Sequence, residues 1–150
     1  MRLLAAGALV GALVLTGCGG GDSSASGSAS ATPSAEGGGV SLLEQQRTTV
    51  LDQPVQYPKK RPAEITSATV LLEPGQESGW RKHGAPTYVY VMEGTITVEY
   101  DAGVTQEFSA GTSFMQAVGV WHNISNKGSD AARFLTVTMG AKGIKPVVER

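Results

Sequence analysis

Beyond residue 63, short runs rich in β-branched and aromatic residues alternate with glycine-bearing turns. EITSATVLLE (Glu64–Glu73) ends at Pro74-Gly75, TYVYVM (Thr87–Met92) at Glu93-Gly94, and TITVEY (Thr95–Tyr100) at Asp101-Ala102-Gly103. VTQEF (Val104–Phe108) ends at Ser109-Ala110-Gly111, VGVWHNIS (Val118–Ser125) at Asn126-Lys127-Gly128, and ARFLTVTM (Ala132–Met139) at Gly140. Period-2 runs at this spacing predict an all-β sandwich or barrel. Asp101-Ala102-Gly103 is a three-residue hairpin signal, with glycine free to take positive φ. No long stretch has helical period. In Ser41–Leu51, Ser41 and Glu44 fit a capping box, but Thr48, Thr49 and Val50 favour a strand. The expectation there is an N-terminal strand with at most a helical turn before it.

The N-terminal quarter of the chain has a different pattern. Residues 1–18 (MRLLAAGALVGALVLTGC) place Arg2 before an apolar run from Leu3 to Leu15. That run falls short of the roughly 20 apolar residues a permanent spanning helix needs, and it has the layout of an export signal. Leu15-Thr16-Gly17-Cys18 resembles the bacterial lipobox, which implies cleavage before Cys18 and a diacylglyceryl group on its thiol. An ordinary secretory peptide cut nearby, or a buried cysteine, is the alternative. Cys18 is the chain's one cysteine, so no intramolecular disulfide can brace the exported part. Several acyl chains would anchor it stably, where one binds only marginally. Residues 19–39 are Gly- and Ser-rich, without large apolar side chains, and read as a disordered tether with a reach of about 25 Å. Residues 40–150 remain as one domain. The expected location is the cell envelope, lipid-anchored on the extracytoplasmic side.

Charge removes one class of partner. All but Arg2 of the 12 Lys and Arg, and all but Asp22 and Glu36 of the 13 Asp and Glu, lie beyond residue 39, so this part is formally neutral. It has no basic stripe that could follow phosphates, and nothing suggests nucleic acid.

The chain has two histidines, His83 and His122. Side chains alternate faces along a strand. Arg81 and His83 therefore share a face, as do Thr87, Val89 and Val91, and Val120, His122 and Ile124. If each of these faces is the inner one, both imidazoles meet inside a mostly apolar barrel. Trp80 and Trp121 then turn to the opposite face, where packing between sheets or covering a subunit interface suits them better than stacking on a ligand. Tyr88 and Tyr90 read as surface or interface aromatics, and Met92, Met115 and Met139 as packing residues.

Two stretches resemble the double motif of the cupin superfamily. In the second motif Gly111 is followed by five residues, then Ala117-Val118-Gly119, His122 and Asn126, with Ala117 where the family has proline. In the first, Gly75 and Gly94 are correctly spaced around His83, but Arg81 stands at the first-histidine position and Thr87 at the glutamate position. The resemblance covers roughly residues 64–140. It implies a cupin-like β-barrel of the jelly-roll type, with motif side chains pointing inward and pairing into a homodimer through a sheet.

In cupins with all four ligands, three His and one Glu hold a divalent ion such as iron, manganese, zinc or nickel. Two of the four, His83 and His122, remain here. A catalytic zinc keeps three protein ligands, and a facial-triad iron needs two His and a carboxylate. Glu73, Glu77 and Glu99 are the candidates for that carboxylate. Arg81 offers no lone pair, repels a cation and disfavours protonation of nearby imidazoles. It also gives the cavity a fixed positive charge suited to a small anion. The leading expectation is therefore binding of a small polar or anionic ligand by Arg81, His83 and His122, with an incomplete metal site. A divalent-metal dioxygenase or isomerase using His83 and His122 is the second. A noncatalytic envelope module working through Tyr88 and Tyr90 is the third.

Overall fold

Nine strands alternate with short turns along the described chain. They are β1 (Ala63–Leu72), β2 (Arg81–His83), β3 (Thr87–Glu93), β4 (Thr95–Tyr100), β5 (Thr105–Ser109), β6 (Ser113–Gln116), β7 (His122–Ser125), β8 (Ala132–Ala141) and β9 (Val147–Glu149). The structure is a computed structural model, and it describes residues 39–150. The leader and tether readings, with Cys18, fall outside the described residues.

The strands form two sheets, ordered β1-β8-β3-β6 and β5-β4-β7-β2-β9. Every pairing within them is antiparallel. This is the expected all-β, jelly-roll arrangement of two packed sheets. Alternation decides what lies between them. Val89 and Val91 of β3, Ile96, Val98 and Tyr100 of β4, Phe114 of β6, Ile124 of β7 and Phe134 of β8 all turn inward and are at most 4% exposed. Phe108 and Phe114 stack at 3.8 Å between ring centroids and close one side of this core.

Turn chemistry sets the register. Gly94 joins β3 to β4 at φ 69, and a Cβ there would lie 2.6 Å from the Ala131 carbonyl oxygen, so only glycine fits. Asp101-Ala102-Gly103 forms the expected hairpin, with the Gly103 N–H donating to Tyr100 O at 2.9 Å and Gly103 at φ 81.

The N-terminal segment departs from expectation. No helix forms among the described residues, and residues 41–51 join neither sheet. A single bridge between Thr48 and Pro54 pinches off a turn, in which Thr49 is buried and Val50 and Leu51 pack on the core. The Gln53 side chain then docks on Val118, accepting from its N–H at 2.8 Å and donating to its carbonyl at 3.2 Å. A side-chain amide thus satisfies a backbone that a ladder would otherwise have paired. Val118 bridges to His83, so this turn lies beside the histidine-bearing strand.

Candidate functional site

Three adjacent strands bring one row of side chains inward. Tyr100 on β4 stands opposite His122 on β7, and His122 stands opposite Arg81 on β2. Cross-strand partners share a face, and His83, two residues beyond Arg81, shares it too. The structure therefore brings Arg81, His83 and His122 together. The His83 and His122 rings lie 5.1 Å apart at 20°, and the Tyr100 ring is 6.0 Å from His122. His122 is fully buried, His83 is 4% exposed, and Arg81 is half-buried.

The hydrogen bonds fix both imidazoles in one tautomer. His83 Nδ1 meets the Pro146 carbonyl at 3.2 Å, and His122 Nδ1 meets the Val120 carbonyl at 3.2 Å. A carbonyl can only accept, so each Nδ1 carries the proton and each neutral ring presents its Nε2 lone pair elsewhere. His122 Nε2 is buried and without a partner. Burial holds the His83 pKa below its usual value, with Arg81 pushing the same way against the Pro146 bond. Burial, followed by the His83 and Arg81 charges, lowers His122 to about 4.

Two further side chains at this site carry unpaired donors. Arg81 Nη2 donates to Ser78 O, while its buried Nε–H has no acceptor. Gln116, on β6 of the facing sheet, is fully buried. Its Oε1 accepts from the Tyr100 hydroxyl and, at 3.2 Å, from the Ala117 N–H, leaving Nε2 without a partner. Burial raises the Tyr100 pKa, so the phenol stays protonated and donates. Sequence reasoning missed Tyr100 and Gln116. Alternation within TITVEY could have found Tyr100, whereas Gln116 lies on a strand whose ends the sequence did not mark.

The candidate carboxylates do not reach the interior. Glu99 stands opposite Asn123, on the outer face of its sheet. Glu77 is exposed and accepts from Asn123 Nδ2 at 2.7 Å on that same outer side. Glu73 is exposed at the end of β1. Thr87, at the glutamate position of the motif, is fully buried. It donates to Ala85 O at 3.1 Å and pairs with Thr138 Oγ1 at 2.9 Å. Among the described residues no group of three or more His, Cys, Asp or Glu assembles. Two imidazoles beside a permanent guanidinium charge, with no carboxylate, do not fit a resident transition metal.

Other motif residues are structural. Asn126 donates to Leu72 O at 2.9 Å and to Asp130 O at 2.8 Å, and accepts from the Gly128 N–H at 2.9 Å. Trp121 does not pack between the sheets. It lies on the outer face with Lys82 Nζ 4.7 Å and Arg150 Cζ 5.5 Å from its ring. Tyr88 borders an outer groove of about 360 Å³ with Leu43, Tyr57, Met115 and Met139. Arg81, His83 and His122 do not line this groove.

Comparison with known proteins bears on the fold. The family model described as "Cupin domain" matches residues 68–138. The chain is similar to the oxalate decarboxylase of Lactobacillus farciminis, solved as a formate complex, with 23% identity and a TM-score of 0.50 over 57% of this chain and 26% of that one. A variant of the Bacillus subtilis oxalate decarboxylase gives 22% identity and a TM-score of 0.50 over 57% and 23%. A cupin domain from Bordetella pertussis Tohama I is 28% identical over 58% of this chain and 90% of that one, with a TM-score of 0.47. The chain thus spans 26% and 23% of the lengths of the two decarboxylases, and the likeness to them shows the fold alone. No curated protein matches the sequence.

Proposed function

For this chain, which belongs to the cupin superfamily, we propose a lipid-anchored, extracytoplasmic protein that binds a small polar or anionic molecule between its sheets, with Arg81 as the positive centre. One observation carries the reading. A buried Arg81 Nε–H and a buried His122 Nε2 flank the same cross-strand pair, and neither has a hydrogen-bond partner. A polar group left unpaired in the interior costs roughly 1–3 kcal/mol, so two together call for an occupant. The fixed positive charge of the guanidinium, beside two imidazoles that are neutral at pH 7, favours a monoanion. The lipid anchor is supported by Leu15-Thr16-Gly17-Cys18 after an apolar run. Pairing of two copies is supported by the ten-residue β1, which pairs only with β8 among the described residues and exposes Ile65 and Leu71 on its free edge.

Calorimetric titration of the full chain in detergent micelles with sodium acetate tests the site. The wild type binds acetate, and Arg81→Met weakens binding at least about tenfold, the loss of one charge-assisted hydrogen bond. Equal binding by both proteins, or none by the wild type, sinks the proposal.

A further inference from the structure

We infer, resting on the anion-binding reading above, that the interior selects a small hydroxy-carboxylate over a plain carboxylate: Arg81 and Gln116 hold the carboxylate, and His122 accepts from the hydroxyl.

The orientation of Gln116 is the first support. Two donors, the Tyr100 hydroxyl and the Ala117 N–H, both converge on Oε1. An amide with its oxygen so engaged has one rotamer about its last bond, and the NH2 turns away from both donors. That NH2 is buried without a partner, as is Arg81 Nε. The Tyr100 ring that orients Gln116 lies 6.0 Å from His122, which in turn stands opposite Arg81, so Tyr100 and Arg81 are the neighbours of His122 on the shared face and Gln116 is tied to the first of them.

The imidazoles offer the opposite polarity. Each Nδ1–H is spent on a backbone carbonyl, at Pro146 for His83 and Val120 for His122. Each Nε2 is therefore a lone pair facing away from those carbonyls, and that of His122 is buried and unpartnered. Both rings stay neutral at pH 7, so the lone pairs persist.

A plain carboxylate satisfies half of this arrangement. Its oxygens accept from the guanidinium and the amide, but it has no hydrogen for an imidazole Nε2, and lone pair would face lone pair. A hydroxyl on the neighbouring carbon supplies that hydrogen. The molecule must also be small. His122 and Gln116 are fully buried between the sheets, which leaves room only for a molecule of a few heavy atoms.

The test compares acetate with glycolate, added to the full chain in detergent micelles at pH 7.5 and followed by calorimetry. The wild type should bind glycolate about tenfold more tightly than acetate, the worth of one hydrogen bond to a buried acceptor. His122→Leu should bring the ratio to about one, whereas Gln116→Leu should weaken both ligands alike. Should either leucine variant fail to fold, the wild-type ratio still decides, and Tyr100→Phe, which frees the Gln116 amide while keeping the ring, should weaken both ligands. Equal affinities in the wild type that depend on Arg81 would overturn this inference and leave the anion site standing. If neither ligand binds, the unpaired groups hold only water and both readings fall.

Discussion

Arg81 stands directly opposite His122 across the β2–β7 pair, with its guanidinium beside a buried neutral imidazole. The relationship places a permanent cation where the motif resemblance puts a metal-ligating histidine. Arg81→His exchanges that charge for a third imidazole on the same face. Zinc or manganese binding, followed by calorimetry and by metal content after dialysis, should then tighten by about tenfold or more. A wild type that already binds as tightly would refute the repelling role given to Arg81.

The buried imidazoles make stability depend on pH in a defined direction. The folded-state pKa of His122 is lowered to about 4, chiefly by burial, against 6.5 unfolded. The unfolded chain therefore takes up the proton first. Stability from this group is fully present above about pH 6.5 and is lost as pH falls towards 4. Between pH 7.5 and 4.5 the loss comes to about 2–3 kcal/mol. His83, shifted the same way by its burial, adds to it. Urea denaturation at the two pH values reads the effect, and His122→Leu should lose less stability than the wild type by about that amount. Identical losses would mean that His122 is not buried as a neutral ring.

Much of the fold was legible because period-2 patterning and glycine turns report directly on strands. TITVEY coincides with β4, and β1, β3, β5 and β8 fall within one or two residues of their expected bounds, whereas β7 begins at His122, four residues after the start of VGVWHNIS. Three strands, β2, β6 and β9, had no expected run of their own. Arg81–His83 and Ser113–Gln116 are three and four residues long, and neither was marked as a run, although Arg81 and His83 were placed on one face. Val147–Glu149 is three residues long, too short for alternation to register. Alternation and the resemblance together placed Arg81, His83 and His122 on one face, and the structure brings them together. Gln116 was missed because its role arises across the sheets, from Tyr100 and from the chain turn at Ala117, and no local pattern encodes that. None of the three candidate carboxylates is placed at the site by the sequence, and for Glu99 the reason it stays out is local. Glu99 precedes Tyr100, and β4 turns Tyr100 inward, so the glutamate faces out.

Asn126 staples the chain after β7 to the end of β1. Its side chain is 1% exposed, and all three of its bonds reach backbone groups. Asn126→Ala leaves two carbonyls and one N–H to find other partners, at a cost of about 2–4 kcal/mol. Chemical denaturation should show a lower midpoint with an unchanged slope. Acetate affinity in the folded variant should stay at the wild-type value, since no Asn126 bond reaches Arg81, His83 or His122. A variant with full stability but altered acetate binding would move Asn126 from staple to site.

The proposed anchor is tested apart from the barrel. Cys18 is the chain's one thiol, so labelled palmitate entering the protein through a thioether-linked diacylglyceryl group has one place to go. In a bacterial host the wild type should incorporate label and partition into the detergent phase, because acyl chains gain about 0.8 kcal/mol per buried methylene and several together hold stably. Cys18→Ser should lose the label and move to the aqueous phase. Its acetate binding should be unchanged, since the ligand groups lie on β2, β6 and β7 and no thiol takes part. Label retained in Cys18→Ser would refute the lipobox reading, and soluble wild-type protein shortened at its N-terminus would favour an ordinary secretory cleavage.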